Sequence, residues 1–218
     1  MIIQRLLAIL LSFSPLVSCK LFEHVELSNN YESRGEISPE LFARLELFSH
    51  YNTAANCEVN YQYNDRRPFR GKTLACLDGA PCELITKSNI SIVYAFHLKV
   101  TDYQTSGIIA LDHGRELTVV VIRDQLRDMN QDELVSASWI PCEGCLVRKM
   151  YSAIWLQDGG TLSEYVNWAR RTYPDIVVTG HAEGGGHATM MALALRDKGW
   201  GANLVSSDGT RNSVVVRY

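Results

Sequence analysis

An α/β fold is predicted by two observations: a run of β-rich segments in the middle of the chain, and a helix, strand, turn, helix, strand order after it. Ser91 to Phe96, Gly107 to Leu111 and Leu117 to Ile122 are dense in β-branched and apolar residues, as strands covered on both faces should be. Further on, Leu162, Tyr165, Val166 and Ala169 recur at helical offsets until Pro174. Ile176 to Thr179 is then a short apolar run, and Ala188, Met191, Ala192 and Leu195 line one face of a second helix. In such an arrangement the ligand site lies at the carboxyl ends of the strands.

Taken in order, the chain opens with a basic Met1-Ile2-Ile3-Gln4-Arg5 and an apolar run from Leu6 to Val17 that is short for a bilayer span. A secretory signal over residues 1–19 is expected, and with it export of the protein. Residues 20–36 are polar and unpatterned, as a processed pro-segment would be. One domain is expected over 37–218. Ser38-Pro39-Glu40 starts its first helix, with Ser38 as N-cap, Pro39 at the first helical position and Leu41, Arg44, Leu45 and Phe48 in helical spacing. Cys57 to Leu84, rich in Asn, Arg, Pro and Gly, reads as loop. Asp112 to Glu116 reads as a hairpin turn. Thr161-Leu162-Ser163-Glu164 has capping-box spacing and is expected to begin the next helix. Lys198-Gly199 closes the last helix, and Asn203 to Ser206 is the strand after it.

With 218 residues, 46% of them hydrophobic, the chain can bury one sizeable core, and a formal charge of -3 gives no reason to expect a nucleic-acid partner. No segment beyond the leader is long and apolar enough for stable membrane insertion. Export makes the cysteines candidates for disulfides. Of six, Cys19 is expected to leave with the signal; Cys76 with Cys82 and Cys142 with Cys145 are spaced to close small loops, which then leaves Cys57 without a partner. A zinc site is the competing use, although five residues between Cys76 and Cys82 exceed the usual knuckle spacing, and Cys142 to Cys145 also has the CxxC redox spacing without a βαβ context. Structural staples are the preferred reading. Asn89-Ile90-Ser91 is a glycosylation sequon at Asn89.

The most informative segment is Val177-Val178-Thr179-Gly180-His181-Ala182-Glu183-Gly184-Gly185-Gly186-His187. It reads as a strand entering a glycine turn and then a helix, the layout of the G-x-S-x-G nucleophile elbow, with Ala182 at the serine position. Such a turn holds a hydroxyl where a histidine can take its proton and backbone N–H groups can hold the oxyanion. Alanine supplies no hydroxyl. His181, Glu183 and His187 also raise a metal or acid–base reading, but the HExxH spacing is not present and His181 precedes the helix.

These residues together resemble the fungal class 3 lipases, secreted α/β-hydrolases that include triacylglycerol lipases and feruloyl esterases. The likeness runs from about Ser38 to Arg211. It rests on Tyr51-Asn52-Thr53-Ala54-Ala55-Asn56-Cys57, Cys76 to Cys82, Gly107 to Asp112, Val119 to Arg123, Pro141-Cys142-Glu143-Gly144-Cys145, and Tyr173-Pro174-Asp175 leading to Gly180, His181 and Gly184. The resemblance implies a mixed sheet flanked by helices with its C-terminal part missing, two small disulfide staples, a lid over Leu126 to Ala137, a lipid or acyl ester ligand and no cofactor. It also places the departures. The family's nucleophile is Ala182; its oxyanion Ser or Thr is Gln125, with Asp124 for Gly; and the residue after the nucleophile, usually Leu, is Glu183. No residue of this chain is carried over to the family's catalytic Asp and His, and the Cys that would pair with Cys57 is not found. A lipase-family protein without catalytic turnover is therefore expected, either a lipid-binding pseudoenzyme or the product of a decayed gene. An active ester hydrolase remains the alternative if the sequence is incomplete or in error. The lid-like segment is acidic and is read as a solvated surface segment.

Overall fold

A computed structural model describes residues 37–61, 72–76, 82–100, 103–123, 133–139, 145–207 and 214–216. The expected signal (1–19) and pro-segment (20–36), Gln125, Cys142 and the lid-like residues 126–132 lie outside the described residues.

Helix α1 (Pro39–Ala55) begins as its sequence dictates: the Ser38 side chain accepts a hydrogen bond from the Leu41 N–H at 3.2 Å, and Pro39 occupies the first turn. Its buried face differs from the expected stripe. Leu41 and Leu45 are exposed, whereas Phe48, Tyr51, Ala54 and Ala55 are buried, so only the second half of the helix rests on the sheet. The expected loop after it holds a 3-10 turn (Glu58–Tyr61), a two-residue strand β1 (Lys72–Thr73) and a short helix α2 (Glu83–Thr86).

Strands β2 (Ile90–Val100), β3 (Tyr103–Asp112) and β4 (Leu117–Arg123) form an antiparallel meander, and β1 adds to the free edge of β2. Each is longer than its apolar run in the sequence, since the ends pair through backbone regardless of side chain. From β4 the sheet becomes parallel, through β7 (Ile176–His181) to β8 (Ala202–Ser207). The order is β1-β2-β3-β4-β7-β8. Alternation divides the side chains between two cores. Ile109, Leu111, Val120, Ile122 and Val178 face α3 (Lys149–Ala169) and α4 (Glu183–Asp197). Ile108, Ala110, Val119, Val121 and Val177 face α1. The mixed sheet flanked by helices is thus observed.

The hairpin turn after β3 is organised by Asp112, whose side chain is fully buried. Its Oδ1 accepts from the Gly114 and Arg115 N–H groups at 3.0 Å, and its Oδ2 accepts from the Tyr51 hydroxyl at 2.7 Å and from Arg115 Nη1 at 2.9 Å.

One expectation is corrected. Thr161 does not begin a helix: α3 runs unbroken through 21 residues from Lys149, carrying Gly159 and Gly160 in its middle. Tertiary packing overrides the glycines, because Ile154, Leu162 and Val166 all reach the same core. Leu134, in the lid-like segment, is half-buried. It lies in strand β5 (Leu134–Ser136), which pairs with β6 (Cys145–Arg148), itself paired with β9 (Val214–Val216) in a small second sheet.

The two mid-helix glycines should respond oppositely to alanine. A Cβ at Gly160 meets nothing within 4 Å, so Gly160→Ala should stabilise by about 0.5–1 kcal/mol. A Cβ at Gly159 would press on the Trp155 ring, and Gly159→Ala should destabilise. Urea melts of both variants check the pair.

Candidate functional site

Three backbones meet where β7 ends. Gly180 pairs with Ile122 of β4, and α4 begins three residues later. A Cβ on Gly180 would run into the Gly184 carbonyl, and a Cβ on Gly184 would run into the Ile122 carbonyl and lie 3.0 Å from the Arg123 carbonyl carbon. Only glycine allows so close an approach. Between them stands Ala182 at φ 48° and ψ -118°, a conformation that an L-residue with a side chain adopts only under constraint. Its carbonyl accepts from the Gly185 N–H at 3.0 Å, which locks the turn onto the first turn of α4. The expected order of strand, tight turn and helix is observed, with the Ala182 methyl group at the turn.

Around the apex, His181 is exposed while Ala182 and Glu183 are half-buried. Glu183 opens α4, where a carboxylate is stabilised by the helix dipole by about 0.3–1 kcal/mol. The same N-terminus is where an elbow would gather an oxyanion, and a carboxylate there opposes that charge. Beneath the turn the Thr179 hydroxyl donates to Asn52 Oδ1 of α1 at 3.4 Å. Arg123, at the end of β4, is turned toward the 3-10 turn: its Nε donates to Asn56 Oδ1 at 3.1 Å and its Nη1 to Glu58 Oε1 at 2.6 Å. Gln125 follows just outside the described residues.

Cys76 and Cys82 form a disulfide, Cys145 is disulfide-bonded, and Cys57 is a buried free thiol. Asn89 is exposed, and its carbonyl accepts from the His113 N–H at 3.0 Å. His181 and His187 are not brought together. His187 points into the core, with its ring edge-on to Tyr151 at 4.4 Å. Among the described residues no group of three or more His, Cys, Asp or Glu side chains could hold a metal ion. Burial pushes the His187 pKa down to about 3, so the imidazole is neutral. Sequence reading treated His187 as a ligand candidate and missed its partner. The signal was the third glycine: a Cβ at Gly186 would collide with the Tyr151 hydroxyl, so α3 and α4 touch there.

No protein-family model matches the chain. In sequence it is 27% identical over 221 residues to the secreted mono- and diacylglycerol lipase A of Penicillium cyclopium, covering 95% of this chain and 68% of that enzyme. The secreted mono- and diacylglycerol lipase A of Penicillium camembertii matches to the same extent. Among solved structures, a mutant form of the Penicillium cyclopium enzyme superposes with a TM-score of 0.67 at 24% identity, over 78% of this chain and 62% of that one. A Rhizomucor miehei lipase in complex with its propeptide superposes with a TM-score of 0.61 at 20% identity, over 78% and 52%. At these identities the structures establish the fold, and this chain spans less than two thirds of their length.

Two measurements follow from the geometry. Ala182→Gly should raise stability by about 1 kcal/mol, since it relieves the left-handed strain at some cost in chain entropy, while Gly180→Ala should lower it. The depressed pKa of His187 makes unfolding take up a proton between about pH 3 and the ordinary value of 6.5. Its stabilising contribution is therefore full above 6.5 and lost as the pH falls toward 3. In His187→Leu, chemical denaturation across that window should show a shallower acid loss, by up to about 1.4 kcal/mol per pH unit.

Proposed function

We propose that this chain, a sequence and structural homologue of the fungal class 3 lipases over most of its length, engages a lipid carboxylic ester without cleaving it. The observation that carries the reading is Ala182 at a fully formed elbow. An acyl-transfer serine must lend an electron pair to the ester carbonyl and a proton to a base; a methyl group has neither. Loss of that nucleophile alone costs on the order of a millionfold in turnover. Glu183 adds to the loss, because its carboxylate stands beside the place where the tetrahedral intermediate becomes negative.

Ligand class follows the relatives, which are described as mono- and diacylglycerol lipases. They are also described as secreted, which supports reading residues 1–19 as an export signal, 20–36 as a pro-segment and Asn89 as a glycosylation site. The Cys76–Cys82 disulfide suits the same compartment, as would the expected pairing of Cys142 with Cys145.

The test takes protein secreted from a fungal host. A fluorescent diacylglycerol analogue should bind saturably, p-nitrophenyl butyrate should be hydrolysed no faster than by a heat-killed sample, and a fluorophosphonate should leave the protein unlabelled. Labelling, or turnover above the heat-killed control, overturns the reading; absence of saturable lipid binding overturns its binding half.

A further inference from the structure

Three elements enclose a small cavity on the α3/α4 face of the sheet: β3 brings Thr105, α3 brings Tyr151, Ile154 and Trp155, and α4 brings His187 and Met190. Its volume is about 20 Å³. A cavity needs about 10–15 Å³ to hold one water, so this one has room for a single water and for nothing larger.

Thr105, only 2% exposed, has a buried hydroxyl with no hydrogen-bond partner among the described residues. Such a hydroxyl gives up its hydration on folding and regains nothing unless something beside it can bond to it. Tyr151, 1% exposed, lines the same cavity. Its hydroxyl is hemmed in on the α4 side, where a Cβ on Gly186 would already collide with it. His187 adds an imidazole that burial keeps neutral, with one donor and one acceptor nitrogen. Three uncharged polar side chains, each from a different element, thus border a space that apolar side chains otherwise enclose.

We propose that this cavity is the binding site of one ordered water molecule, which bonds to the Thr105 and Tyr151 hydroxyls and so joins β3 to α3 through the core. Water suits the pair because each hydroxyl both donates and accepts, and water takes either role toward each of them. It also meets the requirement of two to four polar partners that a buried water needs. Ammonium, of similar size, is disfavoured, because among the described residues no carboxylate lines the cavity to balance its charge. An apolar occupant would leave the Thr105 hydroxyl unsatisfied. Ala182 is not part of the lining, so the site stands or falls separately from the ester-binding reading.

Crystallography at atomic resolution and oxygen-17 relaxation dispersion in solution test it together. The electron density should show a single water within hydrogen-bond distance of both Thr105 Oγ1 and the Tyr151 hydroxyl oxygen. In solution, Thr105→Val, near-isosteric and well suited to a strand, should lower the number of long-lived waters by one, whereas Thr105→Ser, which keeps the hydroxyl, should leave it unchanged. If Thr105→Val fails to melt cooperatively, the density of the unaltered protein decides alone. A dry cavity, an ion or organic molecule in its density, a Thr105 hydroxyl bonded directly to the protein, or an unchanged number of long-lived waters in a folded Thr105→Val would each overturn the proposal.

Discussion

The structure depends on one steric constraint, the contact of three backbones at Gly180, Gly184 and the Ile122 carbonyl. Strand β7 is bonded to β4 at this level, and α4 must turn back over the sheet at once to bury Ala188, Met191 and Leu195, each no more than 1% exposed. The reversal has one residue in which to happen, so Ala182 takes a positive φ. Strain of about 1–3 kcal/mol is small beside the burial of α4, which contributes about 1.5–3 kcal/mol for each large apolar side chain it covers. Packing wins, and the bend is imposed from both sides.

The opposite face is held by α1, through neighbouring residues that reach two different strands. Tyr51 donates to Asp112 at the hairpin, and Asn52 accepts from Thr179 on the strand that leads into the elbow. A buried carboxylate is costly unless its lone pairs are filled. Here two backbone N–H groups, a phenol and a guanidinium fill them, and Arg115 also donates to the Leu84 carbonyl, tying α2 to the same point. Burial and the neighbouring carboxylate raise the Tyr51 pKa, so the phenol remains a donor throughout the ordinary pH range.

The elbow and the sheet that carries it were legible because their signals are local. Glycine spacing, dense β-branched runs and the Ser38 cap each act within a few residues. What stayed hidden is non-local. The continuity of α3 through Gly159 and Gly160 is decided by the core it faces, and a capping-box spacing at Thr161 carries no information about that. Likewise the sheet of β5, β6 and β9 joins short segments far apart in the chain, with no periodicity long enough to read. Only the second half of α1 is buried because the sheet lies under that half alone, which its own hydrophobic spacing could not reveal. His187 sits next to a motif that suggests ligands, yet its surroundings come from α3 and β3. Its burial was invisible until those elements were placed.

An elbow is often described as strain stored for catalysis, but this turn carries the strain at an alanine. The cause is therefore steric: glycines on both sides of residue 182, a paired strand before it and a buried helix after it would impose the same φ on any residue there. In such a frame, replacing serine by alanine removes a hydroxyl without relaxing the backbone or uncovering the core, so catalytic capacity and fold stability are separable at this position. Glu183 shows the same separation from the other direction. A carboxylate in the first turn of α4 favours the helix and opposes an oxyanion, so a residue that works against ester cleavage adds to the stability of the scaffold. In such a frame the chemistry at the turn and the packing that holds the turn answer to different residues.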